Sequence, residues 1–260
     1  MTRDVYSQRR NINFRCRGRH SFASVAFTRV FHQMQPIASD TDQLAARSFD
    51  VSAIEHLALA AWAGRDSAAV EAHIRELEAI GVPRPTRTPL FYRVASSLLT
   101  SSDSIQVLGE DTSGEVEFVL VKLNDGLWVG LGSDHTDRAA ERTSVALSKQ
   151  LCAKVVAPDL WRYDDVAPHW DQLVLRAWAN RDGVRHLYQE ATLAALLSPD
   201  RLMAMYDWPA DGTGAALFSG TIATRTAVGP ADVFEMELDD VVLHRKLRHQ
   251  YRVVTLPVNA

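Results

Sequence analysis

The feature that most constrains this chain is Asn124-Asp125-Gly126, a hairpin signal set between two apolar runs, Val116 to Leu123 and Leu127 to Leu131. With Asp125-Gly126 as a two-residue loop, Asn124 pairs with Leu127 and Glu117 lies opposite Asp134. The strand period of two puts Glu115 and Glu117 on one face. Directly opposed residues have Cβ atoms about 4.5–5.5 Å apart, so this register is expected to bring the Glu117 and Asp134 carboxylates together, with Glu115 two residues along. A Glu-x-Glu strand taken alone fits a solvated acidic face. Three converging carboxylates instead repel one another unless a cation or protons neutralise them. An all-oxygen set of hard ligands favours Mg²⁺, Mn²⁺ or Ca²⁺ over zinc. His135 follows Asp134, falls on the other face of the strand and is expected to be structural.

Around this hairpin the pattern alternates between strands and helices. Val70, Ile74 and Leu77 recur at helical spacing, and Gly81-Val82-Pro83 predicts where that helix stops. Strands are expected at 90–94 and 104–108 and, toward the end, at 215–222, 233–238 and 250–256. Helices are expected around 138–151 and 189–205. The class is therefore α+β with strands dominant. The polar stretch 37–50 lacks periodicity and marks a boundary, which gives an N-terminal extension or small β-rich segment at 1–50 and a larger domain at 51–260. Arg3, Arg9, Arg10, Arg15, Arg17, Arg19 and Arg29 stand against Asp4 in the first thirty residues; the bias is similar to a transit peptide, and a plain extension is the preferred reading.

Composition narrows the partners. With 28 Lys+Arg against 32 Asp+Glu the net charge is -4, so no overall positive field favours nucleic acid or an anionic membrane, and a small polar substrate suits the balance. No apolar run is long enough to span a bilayer. Two cysteines, Cys16 and Cys152, form neither a metal spacing nor a disulfide framework, which fits a reducing, cytoplasmic setting. Trp161, Trp170 and Trp178 read as core or dimer-interface mass.

Four further groups carry chemistry. His73 and Glu76 stand three apart on the 68–80 helix and are neighbours on its surface; a carboxylate that orients an imidazole makes a base able to take a proton from water, while the same spacing also fits ordinary packing. Lys149 and Arg138 are each able to neutralise a developing oxyanion or to be solvated surface charges. Ser219-Gly220-Thr221 is a glycine turn with hydroxyls.

In order and spacing these pieces resemble the catalytic domain of the fumarylacetoacetate hydrolase superfamily, over about residues 62 to 256. Ala63-Gly64-Arg65, His73-Ile74-Arg75-Glu76 and Pro89-Leu90-Phe91-Tyr92-Arg93 are similar to the opening G-R-N-Y, H-x-x-E and P-x-x-F-x-K motifs. Glu115-Val116-Glu117 is similar to the metal-binding E-x-E, and Ser133-Asp134-His135-Thr136-Asp137-Arg138 to N-D-x-S-A-R. Lys149 followed by Pro158 and Trp161 resembles the active-site lysine before G-P-W, and Gly220-Thr221 the late G-T turn. In finer detail the wording resembles a bacterial branch labelled a domain of unknown function. The resemblance implies a mixed β-roll, a homodimer, metal ligands Glu115, Glu117 and Asp134, a water-activating His73–Glu76 pair on a lid helix, Lys149 and Arg138 at the reacting group, and Arg93, Gly220 and Thr221 at the substrate. Arg93 stands where the family has lysine, the proline and second glycine of G-T-P-x-G are missing, and the loop before Lys149 is short, so Lys154 competes for the lysine role.

The expected activity is divalent-metal-dependent hydrolysis of a carbon–carbon bond in a 2,4-dioxo acid, a small anionic substrate. A 2-oxo acid lyase (decarboxylase, dehydratase or isomerase) and a catalytically inactive dimeric binding protein are the alternatives.

Overall fold

A computed structural model describes residues 46–79, 81–209 and 213–259. Most of the expected N-terminal segment, 1–45, lies outside the described residues. Those from 46 onward already join the main body.

Sixteen strands dominate the described chain: β1 Arg47–Ser48, β2 His56–Ala61, β3 Leu90–Val94, β4 Leu99–Thr100, β5 Ser104–Leu108, β6 Thr112–Ser113, β7 Val116–Leu123, β8 Gly126–Asp134, β9 Thr136–Asp137, β10 Lys154–Val156, β11 Asp159–Arg162, β12 Val174–Arg181, β13 Val184–Thr192, β14 Ala215–Phe218, β15 Val233–Asp240 and β16 Arg245–Leu256. Five short α-helices interrupt them: α1 Ser67–Ala79, α2 Arg138–Glu141, α3 Val145–Leu151, α4 Tyr163–Val166 and α5 Pro199–Met205. The first sheet runs β1-β11-β8-β7-β14-β2-β3, with β10 beside β8 and β4 beside β10; the second runs β13-β12-β15-β16-β5. The β14–β2, β10–β4 and β16–β5 pairs are parallel and the other sheet pairs antiparallel, so both sheets are mixed.

Strand β7 shows how the sequence builds the core. Its near-continuous apolar run is buried on both faces. Phe118 and Leu120 enter a cluster with Trp161, Trp170, Leu175 and Phe234, drawn from both sheets, while Val119 and Val121 enter a second cluster on the other face with Leu59, Val156 and Phe218. Gly132 lets these layers meet, because a Cβ there would lie 2.6 Å from Phe218 and 2.9 Å from the Val155 carbonyl.

Helix α1 ends where the sequence predicts. The Val82 N–H bonds the Leu77 carbonyl, the Gly81 N–H bonds the Glu78 carbonyl, and Gly81 takes φ +95°, which is a Schellman stop. The segment 189–205 departs from expectation. Its first residues finish strand β13, whose pairing with β12 overrides their helical pattern, Leu193–Ala195 form one 3-10 turn, and only Pro199–Met205 is α-helical. Among the described residues no helix is long and apolar enough to cross a membrane.

Candidate metal centre

The hairpin forms, but its register is displaced by two residues. Leu123 pairs with Gly126, so Asn124 and Asp125 are the loop residues, and Glu117 faces Gly132. The positive φ, +134°, falls on Gly126 as its missing Cβ permits. The Asp125 carboxylate is held by the Trp128 indole N–H and by Arg47. A shift of two keeps every side chain on its face. Asp134 therefore still meets the glutamates, but it lies beside Glu115, whose carbonyl accepts the Asp134 N–H at 3.0 Å, instead of opposite Glu117.

One oxygen from each of Glu115, Glu117 and Asp134 lies within 4.8 Å of the others. Glu117 and Asp134 are buried, and Glu115 is nearly so. Their partners differ. Arg138 donates to Glu115 Oε1 at 2.8 Å and Lys149 Nζ to its Oε2 at 3.1 Å. Lys154 Nζ lies 2.7 Å from Asp134 Oδ1 and Lys149 Nζ 2.5 Å from Oδ2. The last contact is an ion pair whose angles fall outside hydrogen-bond geometry. Glu117 touches no cationic side chain; its Oε2 accepts the Gly220 N–H at 2.8 Å.

These environments separate the three acids. Burial opposes ionisation of Glu115, but the Arg138 and Lys149 charges outweigh it and hold its carboxyl below the usual range. Burial, with Asp134 beside it, pushes Glu117 well up. Lys149 is raised despite its burial because three carboxylates surround it. Burial, helped by the Lys154 and Arg138 charges, drives His135 down to about 3. The neutral ring is fixed between Tyr251 Oη and Thr112 Oγ1 at 3.0 Å each, as expected of a structural histidine.

The donor set suits a divalent cation. It is all oxygen, its three acids converge within 4.8 Å, and Glu117 makes no ion pair with a cationic side chain among the described residues. Counting Glu141, paired with Arg138 at 2.8 Å, the cluster holds four acids against three bases, so one divalent ion turns a net negative site net positive.

Other expected site residues are placed differently. Arg138 spends its donors on Ser113, Glu115 and Glu141 and so orients the Glu115 carboxylate. Thr221 Oγ1 donates to the Val116 carbonyl at 2.9 Å and accepts from Gln189 Nε2 at 2.7 Å. Gly220 needs its φ of +85° to aim its N–H at Glu117. Arg93 is exposed, bonds His56 Nδ1 at 2.8 Å, and alternates to the sheet face opposite Tyr92, away from the carboxylates. His73 Nδ1 and Glu76 Oε2 are 3.5 Å apart, but their side chains are 61% and 76% exposed on α1 and touch none of the three acids. Lys149 and Lys154 both reach Asp134; Lys154 is wholly buried and also donates to the His135 carbonyl, so Lys149 is the lysine nearer solvent.

Sequence reading passed over Gln189. Wholly buried on β13, it donates to Thr221 and the Ile222 carbonyl and accepts the Val116 N–H at 3.0 Å, which ties the Gly220 turn to β7. A polar residue next to the buried Tyr188 was its only trace in the sequence.

A mixed β-roll with this acidic trio at one end of β7 and β8 defines a protein with the fold of the fumarylacetoacetate hydrolase superfamily. Among solved structures the chain is similar to a 2-keto-3-deoxy-D-arabinonate dehydratase complexed with magnesium and 2,5-dioxopentanoate, with 14% identity and a TM-score of 0.57 over 78% of this chain and 74% of that one. It is similar to a 5-carboxymethyl-2-hydroxymuconate delta-isomerase from Mycobacterium smegmatis, at 15% identity and a TM-score of 0.53 over 78% of each chain. A yeast fumarylacetoacetate hydrolase family protein matches at 13% identity and a TM-score of 0.52, over 79% of this chain and 95% of that one. Comparison with curated proteins finds no match. The chain belongs to the family described as Protein of unknown function (DUF2848), whose sequence model matches residues 60–251.

Proposed function

We propose that this protein is a divalent-metal-dependent enzyme acting on a small anionic 2-oxo acid, with Glu115, Glu117 and Asp134 holding Mg²⁺ or Mn²⁺, or alternatively Ca²⁺. The observation that carries this reading is the trio itself: three carboxylates whose oxygens lie within 4.8 Å of one another, two of them buried. When bound, such a cation supplies positive charge that holds two adjacent substrate oxygens and favours negative charge developing on a carbonyl oxygen. The chain's own residues do the rest. Arg138 and Gly220 aim Glu115 and Glu117, Lys154 fixes Asp134, and Lys149 stands where it can meet substrate charge. The net positive charge of the loaded cluster suits an anion.

Carbon–carbon bond hydrolysis of a 2,4-dioxo acid is the leading reaction, with His73 and Glu76 activating water once α1 closes over the site. The exposure of that pair favours a second reading, a 2-oxo acid lyase (dehydratase, decarboxylase or isomerase) that needs no water base. The magnesium-bound dehydratase among the structural neighbours supports the chemistry common to both readings. A homodimer in the cytoplasm completes the proposal. Retention of the whole acidic trio and both lysines argues against an inactive binding protein. The test is a screen of 2-oxo and 2,4-dioxo acids with Mg²⁺ or Mn²⁺, with product analysis to separate hydrolase from lyase. Oxalate, which presents the same two adjacent oxygens, is expected to inhibit competitively and only with metal present. Full turnover in excess chelator would overturn the reading.

A further inference from the structure

Tyr92 shares its sheet face with the carboxylates. A rung of paired residues, Tyr92, Leu59, Phe218 and Val119, crosses β3, β2, β14 and β7, and Val119 is two residues from Glu117. Helix α3, which carries Lys149, packs on β3 and is tied to the end of that strand by Gln150 Oε1, which accepts the Ala95 N–H at 3.1 Å. Tyr92 is half-buried there, and its hydroxyl makes no hydrogen bond among the described residues. Its ring rests on Trp62 with centroids 6.3 Å apart, and Trp62 holds φ +53°, a backbone state that costs a bulky residue free energy and tends to persist where function requires it. The charges that act on the phenol belong to Lys149 and Glu141, both members of the metal centre, and burial raises its pKa, so it remains a hydrogen-bond donor at neutral pH.

A half-buried phenol on the carboxylates' sheet face, beside the helix that carries Lys149 and with no hydrogen-bond partner among the described residues, keeps its donor free for a ligand. We propose that Tyr92 donates a hydrogen bond to a substrate oxygen beyond the 2-oxo carboxylate, so that the site selects 2-oxo acids bearing an oxo or hydroxyl oxygen on carbon 4. This rests on the 2-oxo acid reading above. The metal would hold carbons 1 and 2 through their oxygens, leaving the next oxygen of a short chain for the phenol.

The experiment compares wild type with Tyr92→Phe on three probes in the presence of Mg²⁺: oxalate, 2-oxopentanoate and 2,4-dioxopentanoate. Affinity is read as Kd, or as KM where a probe is turned over. Loss of one hydrogen bond to a neutral oxygen predicts about a tenfold weaker 2,4-dioxopentanoate for the variant. Oxalate and 2-oxopentanoate, which lack that oxygen, are expected to be unchanged. Because the hydroxyl has no partner in the fold, its removal leaves stability intact, and the selectivity between the two five-carbon acids is a readout that a structural role would not move. Equal affinities of the two proteins for 2,4-dioxopentanoate, or an equal loss on 2-oxopentanoate, would overturn the role of Tyr92. Failure of wild type to bind oxalate with magnesium would instead remove the metal-chelation reading on which it rests.

Discussion

Two isosteric substitutions in the acidic trio should differ sharply in their effect on the metal-free protein. Glu117 touches no cation and its Oε2 accepts only the Gly220 N–H, a bond that glutamine retains. Glu117→Gln therefore removes no ion pair and should leave metal-free stability unchanged. Asp134 is wholly buried with Lys149 2.5 Å and Lys154 2.7 Å away. Asp134→Asn strands buried ammonium groups, a loss of about 3–5 kcal/mol. At roughly 2–4 °C per kcal/mol for a domain of this size, Tm falls by ~6–20 °C. Magnesium at a hundredfold over Kd stabilises wild type by about 2.7 kcal/mol, a rise of roughly 5–10 °C by the same conversion. Both variants should lose that rise. Thermal melts followed by tryptophan fluorescence, with and without Mg²⁺, measure all of these quantities. A Glu117→Gln protein that keeps the full magnesium shift would refute the ligand assignment. An Asp134→Asn protein as stable as wild type without metal would refute the charge accounting.

If His73 and Glu76 work as one unit, His73→Ala, Glu76→Ala and the double variant should lose similar factors in kcat on a hydrolysed substrate; near wild-type turnover by His73→Ala would leave the lyase reading. Acid stability should report Glu237 on β15. Burial works against its ionisation, but hydrogen bonds from Arg248 and Lys246 outweigh that and hold its carboxyl below the ordinary value of 4.5. Its contribution is thus complete above the unfolded pKa and lost as pH falls through the folded one. Urea midpoints of wild type and Glu237→Gln should differ at neutral pH and converge in acid; a gap that persists at low pH would contradict this.

The faces of the central hairpin were legible in the sequence and its register was not. Alternation along Glu115-Val116-Glu117 and the turn signal placed three carboxylates on one side, and because the loop moved by two residues the side was preserved while the partner changed. The stop of α1 was legible because Gly81 and Pro83 act locally. The strand at 184–192 was not, since its pairing with β12 is a tertiary effect. Motif order indicated both lysines without telling them apart, which depends on burial: Lys154 is wholly buried against Asp134, and Lys149 keeps a small exposure. Arg93 was singled out by residue type, and strand alternation places it on the face opposite the carboxylates, the face that Tyr92 shares with them.

Gln189 couples events that are otherwise far apart in the chain. Its amide reaches from the second sheet to the Gly220 turn and to the start of β7, and that turn aims Glu117. Drift of one sheet over the other by about the tolerance of a hydrogen bond, a few tenths of an ångström, is therefore transmitted to the Glu117 carboxylate before any core residue is exposed. On the proposed metal reading, affinity for the ion is a gauge of how well the two layers are seated, and it should decline during gentle warming ahead of the cooperative loss of structure.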